Sequence, residues 1–288
     1  MNYLIVFIMN LAIILIPCIY LFVIYIFKKK KKRKLKIGHF LIAIIMATLI
    51  ILIKDKVSDI ILKDNKSGDS VIKEVENGSG NEVEDNPNYV ETTSKGYILE
   101  KIDGAYYIDG YIIVNKSYPF SDSWIPSNTE EEINNDICKN CLDKEVYNMW
   151  SQMKNDATSI GLNIYISSGY RSFSYQKGLY EHYINKGGKD YADITSARAG
   201  HSEHQSGLAF DLNSVDDSFS ATDEGKWVNN NAHLYGFIIR YPKDKTNETG
   251  YKYESWHLRY VGTYLADKLY NNGNWITMED YFGLDSQY

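Results

Sequence analysis

Ser202-Glu203-His204-Gln205-Ser206-Gly207-Leu208-Ala209-Phe210-Asp211 is the stretch from which the rest of this 288-residue sequence is best read. Leu208, Phe210 and Leu212 alternate with Ala209 and Asp211, so its second half predicts a strand with one apolar face. The other face carries a carboxylate beside a small residue, which leaves room for an ion. The first half places an imidazole, His204, upstream of that carboxylate. Further on, Glu254-Ser255-Trp256-His257 sets another carboxylate three residues before another imidazole. Zinc accepts nitrogen and oxygen ligands in tetrahedral sites, and a catalytic site keeps one position for water. His204, Asp211 and His257 supply two imidazoles and one carboxylate, which suits that pattern. On a regular strand Glu254 and His257 would face opposite ways, so the backbone must bulge or turn between them. With a bulge, Glu254 can address the water without being a ligand. That division of labour is what metal-assisted amide hydrolysis requires.

A third segment, Ser167-Ser168-Gly169-Tyr170-Arg171-Ser172-Phe173-Ser174-Tyr175-Gln176, bears on substrate. An arginine at a strand exit, just after glycine, sits at a loop rim. Its planar fork matches a carboxylate through two parallel hydrogen bonds, as lysine cannot. Gln176 falls early in the helix that follows. Outward from these motifs, Gly104–Gly110 predicts a tight element before a strand over Tyr111–Val114. Lys144–Ile160 predicts a helix with Val146, Met149 or Trp150, Met153, Ala157 and Ile160 on one face, stopped at Gly161. Ile164 and Ile166 mark a strand, and Ser174 is placed to cap a helix to about Lys186. Strands are expected at Leu208–Leu212 and Phe237–Tyr241, helices at Asp223–Tyr235 and Val261–Tyr270, and an alternating aromatic run at Tyr251–Tyr260. Interleaved helices and strands with hairpin-length gaps favour an α+β domain with a mainly antiparallel sheet.

The N-terminal end is of another kind. Tyr3–Phe27 and Ile37–Ile53 are uncharged and apolar, and KKKKKRKLK lies between them. A run of ~20 apolar residues crosses a bilayer, and a basic cluster stays on the cytoplasmic side. Residues 1–53 are therefore expected to form a two-helix transmembrane hairpin anchor with a cytoplasmic basic loop and both ends outside. A cleaved signal peptide would put its basic region ahead of the first apolar run, not after it. Residues 54–95 are polar and poor in aromatics, a flexible extracellular stalk by composition. Residues 96–288 are the expected catalytic domain. Of the 31 basic and 37 acidic residues, eight basic and no acidic ones precede residue 54, so the rest carries 23 against 37, a formal charge of −14. So acidic a body argues against a nucleic-acid partner. Three cysteines exclude a disulfide framework, and one C-x-x-C, Cys138 to Cys141, excludes a four-thiolate zinc site. A local disulfide or two idle thiols both remain open for that pair.

Gly169-Tyr170-Arg171-Ser172, then Ser202-x-His204-x-x-Gly207-x-Ala209-x-Asp211, then Glu254-x-Trp256-His257 resembles the VanY-like zinc D-alanyl-D-alanine carboxypeptidases. The resemblance runs from about Gly110 to the C-terminus and leaves out the first hundred or so residues. It implies Zn²⁺ on His204, Asp211 and His257, Glu254 as the base, and Arg171, Gln176 and Ser202 on the terminal carboxylate of the substrate. It further implies a small α+β zinc-peptidase domain of the hedgehog/lysostaphin-like kind, acting on peptidoglycan stem peptides or precursors. Removal of D-alanine would serve antibiotic (glycopeptide) resistance or ordinary wall maturation. An L,D-carboxypeptidase, a wall endopeptidase, or a non-catalytic zinc-containing wall-binding module are the alternatives on the same scaffold. A dead module would have no need of Glu254, and an endopeptidase none of Arg171.

The other histidines have simpler readings. His201 is expected to support a metal ligand from behind or to wall a pocket, His182 and His233 to pack or face solvent, and His39 to sit at a membrane edge. Arg259 is expected to brace a carboxylate of the fold, and Trp256 to pack in the core or wall the site.

Overall fold

The computed structural model describes residues 86–288. Tyr3–Phe27, Ile37–Ile53 and most of the polar connector after them lie outside the described residues. Four strands open the described chain: β1 (Tyr89–Thr92), β2 (Ile98–Ile102), β3 (Ala105–Ile108) and β4 (Tyr111–Ile113), paired in that order as an antiparallel meander. Two of its turns are the dipeptides Asp103-Gly104 and Asp109-Gly110, all four residues at positive φ (48°, 84°, 49° and 79°). Both central residues of a type I′ hairpin need that conformation, which is why Asp-Gly stands there. Ordered chain thus begins ahead of Gly96, the start expected from sequence. All four β1 residues are exposed, so composition alone gives this edge strand the polar look of a stalk.

Beyond the meander come β5 (Ile137–Cys138), helix α1 (Lys144–Ser159), β6 (Ile166–Ser168), β7 (Tyr170–Arg171) and α2 (Phe173–Thr195). The Asp143 side chain caps α1 by accepting from the Glu145 N–H, and Val146, Trp150, Met153 and Ala157 are its buried face. Ile160, assigned to that face from sequence, is instead an exposed C-cap residue. Helix α2 is capped by Ser172, whose hydroxyl accepts the Tyr175 N–H, while Ser174 falls inside the first turn. It also outruns the expected stop near Lys186: Gly188, at φ 83°, kinks the helix and buried Ala192 anchors the second segment.

The elements that follow include β8 (Ala209–Leu212), α3 (Asp223–Asn231), β9 (Phe237–Tyr241), β10 (Glu254–Tyr260), α4 (Gly262–Tyr270) and α5 (Met278–Phe282). Ala232–Tyr235, expected as the end of α3, is a separate 3-10 turn closed by Gly236 at φ 83°. A second sheet runs β6-β8-β10-β9 with every neighbour antiparallel, while β5 and β7 make a separate two-stranded ladder. The fold is therefore α+β with antiparallel sheets. Phe210 and Leu212 of β8, Trp256 and Leu258 of β10 and Trp150 of α1 share one apolar core with Leu265 and Leu269 of α4. Because side chains alternate along a strand, burying Phe210 and Leu258 puts Ala209, Asp211, His257 and Arg259 on the other face. Among the described residues no helix is long and apolar enough to cross a membrane.

Candidate active site

The central ladder of the second sheet sets His257 opposite Asp211, Leu258 opposite Phe210 and Arg259 opposite Ala209. Next to it, Glu254 pairs with Tyr241 but Leu258 with Ile239, so four steps along β10 span two along β9. This is the bulge that the Glu254–His257 spacing demanded, and it turns both side chains the same way. Glu254 Oε2 lies 3.9 Å from His257 Nδ1. His204 arrives from a 3-10 turn, Glu203–Ser206, ended by Gly207 at φ 69°. Its Nε2 stands 3.4 Å from Asp211 Oδ2, and His257 Nδ1 stands 3.1 Å from Asp211 Oδ1. One ligand atom from each of His204, Asp211 and His257 can be chosen so that all lie within 4.8 Å of one another, and all three residues are buried.

Hydrogen bonds orient the two rings for a cation. His204 Nδ1 donates to the Gly169 carbonyl at 2.6 Å, so its Nε2 presents a lone pair, and that buried atom has no hydrogen-bond partner. His257 Nε2 donates to Glu203 Oε2 at 3.1 Å, which leaves Nδ1 facing Asp211. An unpartnered buried imidazole nitrogen beside a second nitrogen and a shared carboxylate fits Zn²⁺ in donor type and number. Among the described residues the other cluster of ligand-type side chains is Glu131, Cys138 and Cys141. Its sulfurs are bonded to each other and so are not thiolates.

Charge at the site follows from burial. Desolvation, helped by the Arg171 charge, pushes His204 down to about 4, so it is neutral at pH 7. Burial also pushes the Glu254 carboxyl up to about 7, against the pull of His257. His257 is desolvated too, but hydrogen bonds and charges from Asp211 and Glu203 outweigh this and carry it up to about 9.

Sequence reasoning passed over Glu203 inside the first motif. Its Oε1 accepts from Arg240 Nε at 2.7 Å and from Arg259 Nη1 at 2.9 Å. Arg240 also makes a two-pronged pair with Glu279 of α5 at 2.6 and 2.8 Å, and Arg259 donates to the Ile112 carbonyl of β4 at 2.7 Å. Burial opposes the charged form of Glu203, but Arg240 and Arg259 overcome it and hold the carboxyl well below the usual range. A glutamate between Ser202 and His204 was the only clue, since its arginine partners lie far along the chain. Arg259 braces a fold carboxylate, as expected.

The candidate substrate residues separate. The charge of Arg171 acts on both His204 and Glu254, and its Nε is buried with no hydrogen-bond partner. Ser202 is buried and its hydroxyl makes no capping bond. Gln176 donates its amide hydrogens to Ser196 Oγ at 3.2 Å and the Ala197 carbonyl at 2.7 Å, leaving Oε1 unpartnered. His201 Nδ1 donates to the Asn115 carbonyl at 2.8 Å. His182 is exposed, and His233 stacks on Tyr270 at 3.7 Å between ring centres. Trp256 lies in the core.

Comparison with known proteins agrees with this geometry. The family model "VanY: D-alanyl-D-alanine carboxypeptidase" matches residues 139–263. YodJ of Bacillus subtilis (strain 168) is 37% identical over 199 residues, 64% of this chain and 72% of that protein. Among solved structures, the LdcB LD-carboxypeptidase has a TM-score of 0.55 at 34% identity, covering 66% of this chain and 95% of its own. A Zn(II) complex of a variant of the vancomycin-resistance D,D-pentapeptidase VanY, from a VanB-type cassette, has a TM-score of 0.50 at 31% identity, covering 59% and 97%. Two imidazoles, one carboxylate and a fourth acidic group on such a scaffold place the chain in the VanY family of zinc-dependent D-alanyl-D-alanine carboxypeptidases.

Proposed function

We propose that this protein hydrolyses the peptide bond before a C-terminal D-alanine of peptidoglycan stem peptides or their precursors, with Zn²⁺ held by His204, Asp211 and His257. The observation that carries this reading is the convergence of those three side chains while Glu254 stands beside them, 3.9 Å from His257 Nδ1. When bound, zinc supplies Lewis acidity toward the scissile carbonyl and brings the pKa of water to about 7. Glu254 takes the water proton on its carboxylate and returns it to the leaving amine. A group lifted to about 7 by burial is suited to both tasks near neutral pH. Arg171 pairs with the terminal carboxylate of the substrate through its fork, and the Ser202 hydroxyl adds a donor. Gln176, its amide hydrogens engaged, contributes to this clamp by holding the Ser196–Ala197 segment in place.

The test is direct. Purified protein should release D-alanine from a pentapeptide ending in D-Ala-D-Ala, stop with a chelator, and recover on adding Zn²⁺. No release by the zinc-loaded protein would end this reading. The likeness to an LD-carboxypeptidase favours a second specificity, for tetrapeptides with an L-centre before D-alanine. Parallel assays on penta- and tetrapeptides separate the two.

For location, the support is the pair of apolar runs flanking KKKKKRKLK and a disulfide between Cys138 and Cys141, chemistry of oxidising exteriors. On this reading residues 1–53 anchor the chain as a two-pass hairpin and the catalytic domain faces the wall. Protease added to intact cells should then remove the catalytic domain; complete protection would sink the arrangement.

A further inference from the structure

Cys138-Lys139-Asn140-Cys141 is the motif that neither the metal trio nor Glu254 uses. Its sulfurs are bonded to each other, and the loop they close lies beside the strand that carries Arg171 and leads into the end of the turn that carries His204. On one side Ile137 and Cys138 are β5, which pairs with β7 so that Ile137 lies opposite Arg171 and Cys138 opposite Tyr170. Just before β7, Gly169 is pressed against the loop: a Cβ there would stand 2.2 Å from the Lys139 carbonyl oxygen and 2.8 Å from that of Cys138. The Gly169 carbonyl is also the acceptor that orients His204. On the other side the loop runs into Cys141, fully buried, and the Asp143 N–H donates to the Gly207 carbonyl at 3.0 Å, where the turn bearing His204 ends.

Just after Arg171, Asp136 continues the same support. Its carbonyl accepts the Ser172 N–H at 2.8 Å, and its carboxylate accepts the hydroxyls of Ser172 and Ser174 at 2.6 and 2.8 Å. Arg171 is thus held through its backbone by a two-residue strand, and its buried Nε has no protein partner to help. A ladder that short is weak on its own. The disulfide ties its outer strand, at Cys138, to the buried anchor Cys141.

We infer that the Cys138–Cys141 disulfide is a positioning element of the carboxylate clamp: it holds β5 against β7, and so sets how well Arg171 receives a substrate with a free C-terminus. The inference rests on the reading of Arg171 given above. A disulfide that spans only three steps of chain constrains the unfolded state less than one closing a long loop, so its effect belongs at the clamp more than in overall stability.

The experiment compares the full-length protein with its Cys138→Ser/Cys141→Ser double variant on a carboxylate-terminated peptide and its amidated counterpart, with zinc content measured throughout. KM for the carboxylate substrate should rise about tenfold with kcat within about twofold, zinc occupancy full and the amide kinetics unchanged. Wild-type protein reduced with a phosphine, capped at its thiols and resupplied with zinc should show the same shift, which covers a double variant that fails to fold. Arg171→Ala is run beside them. If Arg171→Ala separates the two substrates while the unbridged proteins keep the wild-type KM, or lose both substrates equally, the inference is overturned. If Arg171→Ala does not separate them, the clamp reading itself fails.

Discussion

Glu254 and Glu203 show how one residue type is given two tasks by its neighbours. Among the described residues Glu254 makes no ion pair with an arginine, and burial lifts it to about 7. Glu203 is more deeply buried but meets Arg240 and Arg259, and stays charged. Glu254→Gln should retain zinc, measured by metal analysis, and lose at least about a hundredfold in kcat; full activity would remove it from the chemistry. Glu203→Gln should behave differently. It leaves two buried guanidiniums short of a counter-charge and should cost about 3–5 kcal/mol of stability in denaturant unfolding. It also weakens the partner that orients His257, so zinc affinity should fall about 10–100-fold. Because the Glu203 carboxyl is held below its ordinary range, its contribution to stability is complete above the usual glutamate pKa and lost as pH falls through the lowered one. Wild type should therefore shed stability on acidification more steeply than Glu203→Gln, as thermal unfolding at stepped pH would read.

Elements decide which faces these residues meet. The β10 bulge is the feature that lets Glu254 and His257 share a side, and the β8–β10 register is what brings Asp211 to His257. Gly169 joins the elements around them, since its carbonyl serves His204 and its missing side chain admits the Lys139 carbonyl. Gly169→Ala should therefore force β7 away from β5, costing about 1–3 kcal/mol. Weaker zinc retention should accompany that loss, through the displaced His204 partner. A variant with unchanged stability and zinc content would show that the two strands can separate without consequence. The second half of α2 was hidden from sequence for a related reason. Two glycines in a row signal a stop, but a kink at one residue lets tertiary packing resume the helix.

At the scale of the molecule, a buried network runs from His257 through Glu203 and Arg240 to Glu279 on α5, while Arg259 reaches the carbonyl of Ile112 on β4. The meander and the C-terminal helix are thereby tied to the site through charge, not through the shared apolar core alone. Asn81–Tyr288 forms a compact unit by its own contacts. A protein consisting of that unit should fold cooperatively and keep its kcat on a soluble peptide within about twofold, since every proposed site residue lies inside it. Loss of activity in a folded unit would show that the preceding residues take part in the reaction.

The sequence by itself singled out the candidate ligands and the candidate base, and it determined the strand that carries Asp211 and the need for a bulge before His257. Those depend on residue type and on the two-residue repeat of a strand, both local properties. It also showed the two apolar runs and the lone cysteine pair. Only the tertiary structure decided which ring nitrogens face Asp211, what Glu203 holds together, that Gln176 spends its donors on the protein, and that the disulfide loop stands behind Arg171. Each of these is a contact between residues remote in the chain, chosen by competition among partners in a buried space, and no local pattern encodes the winner.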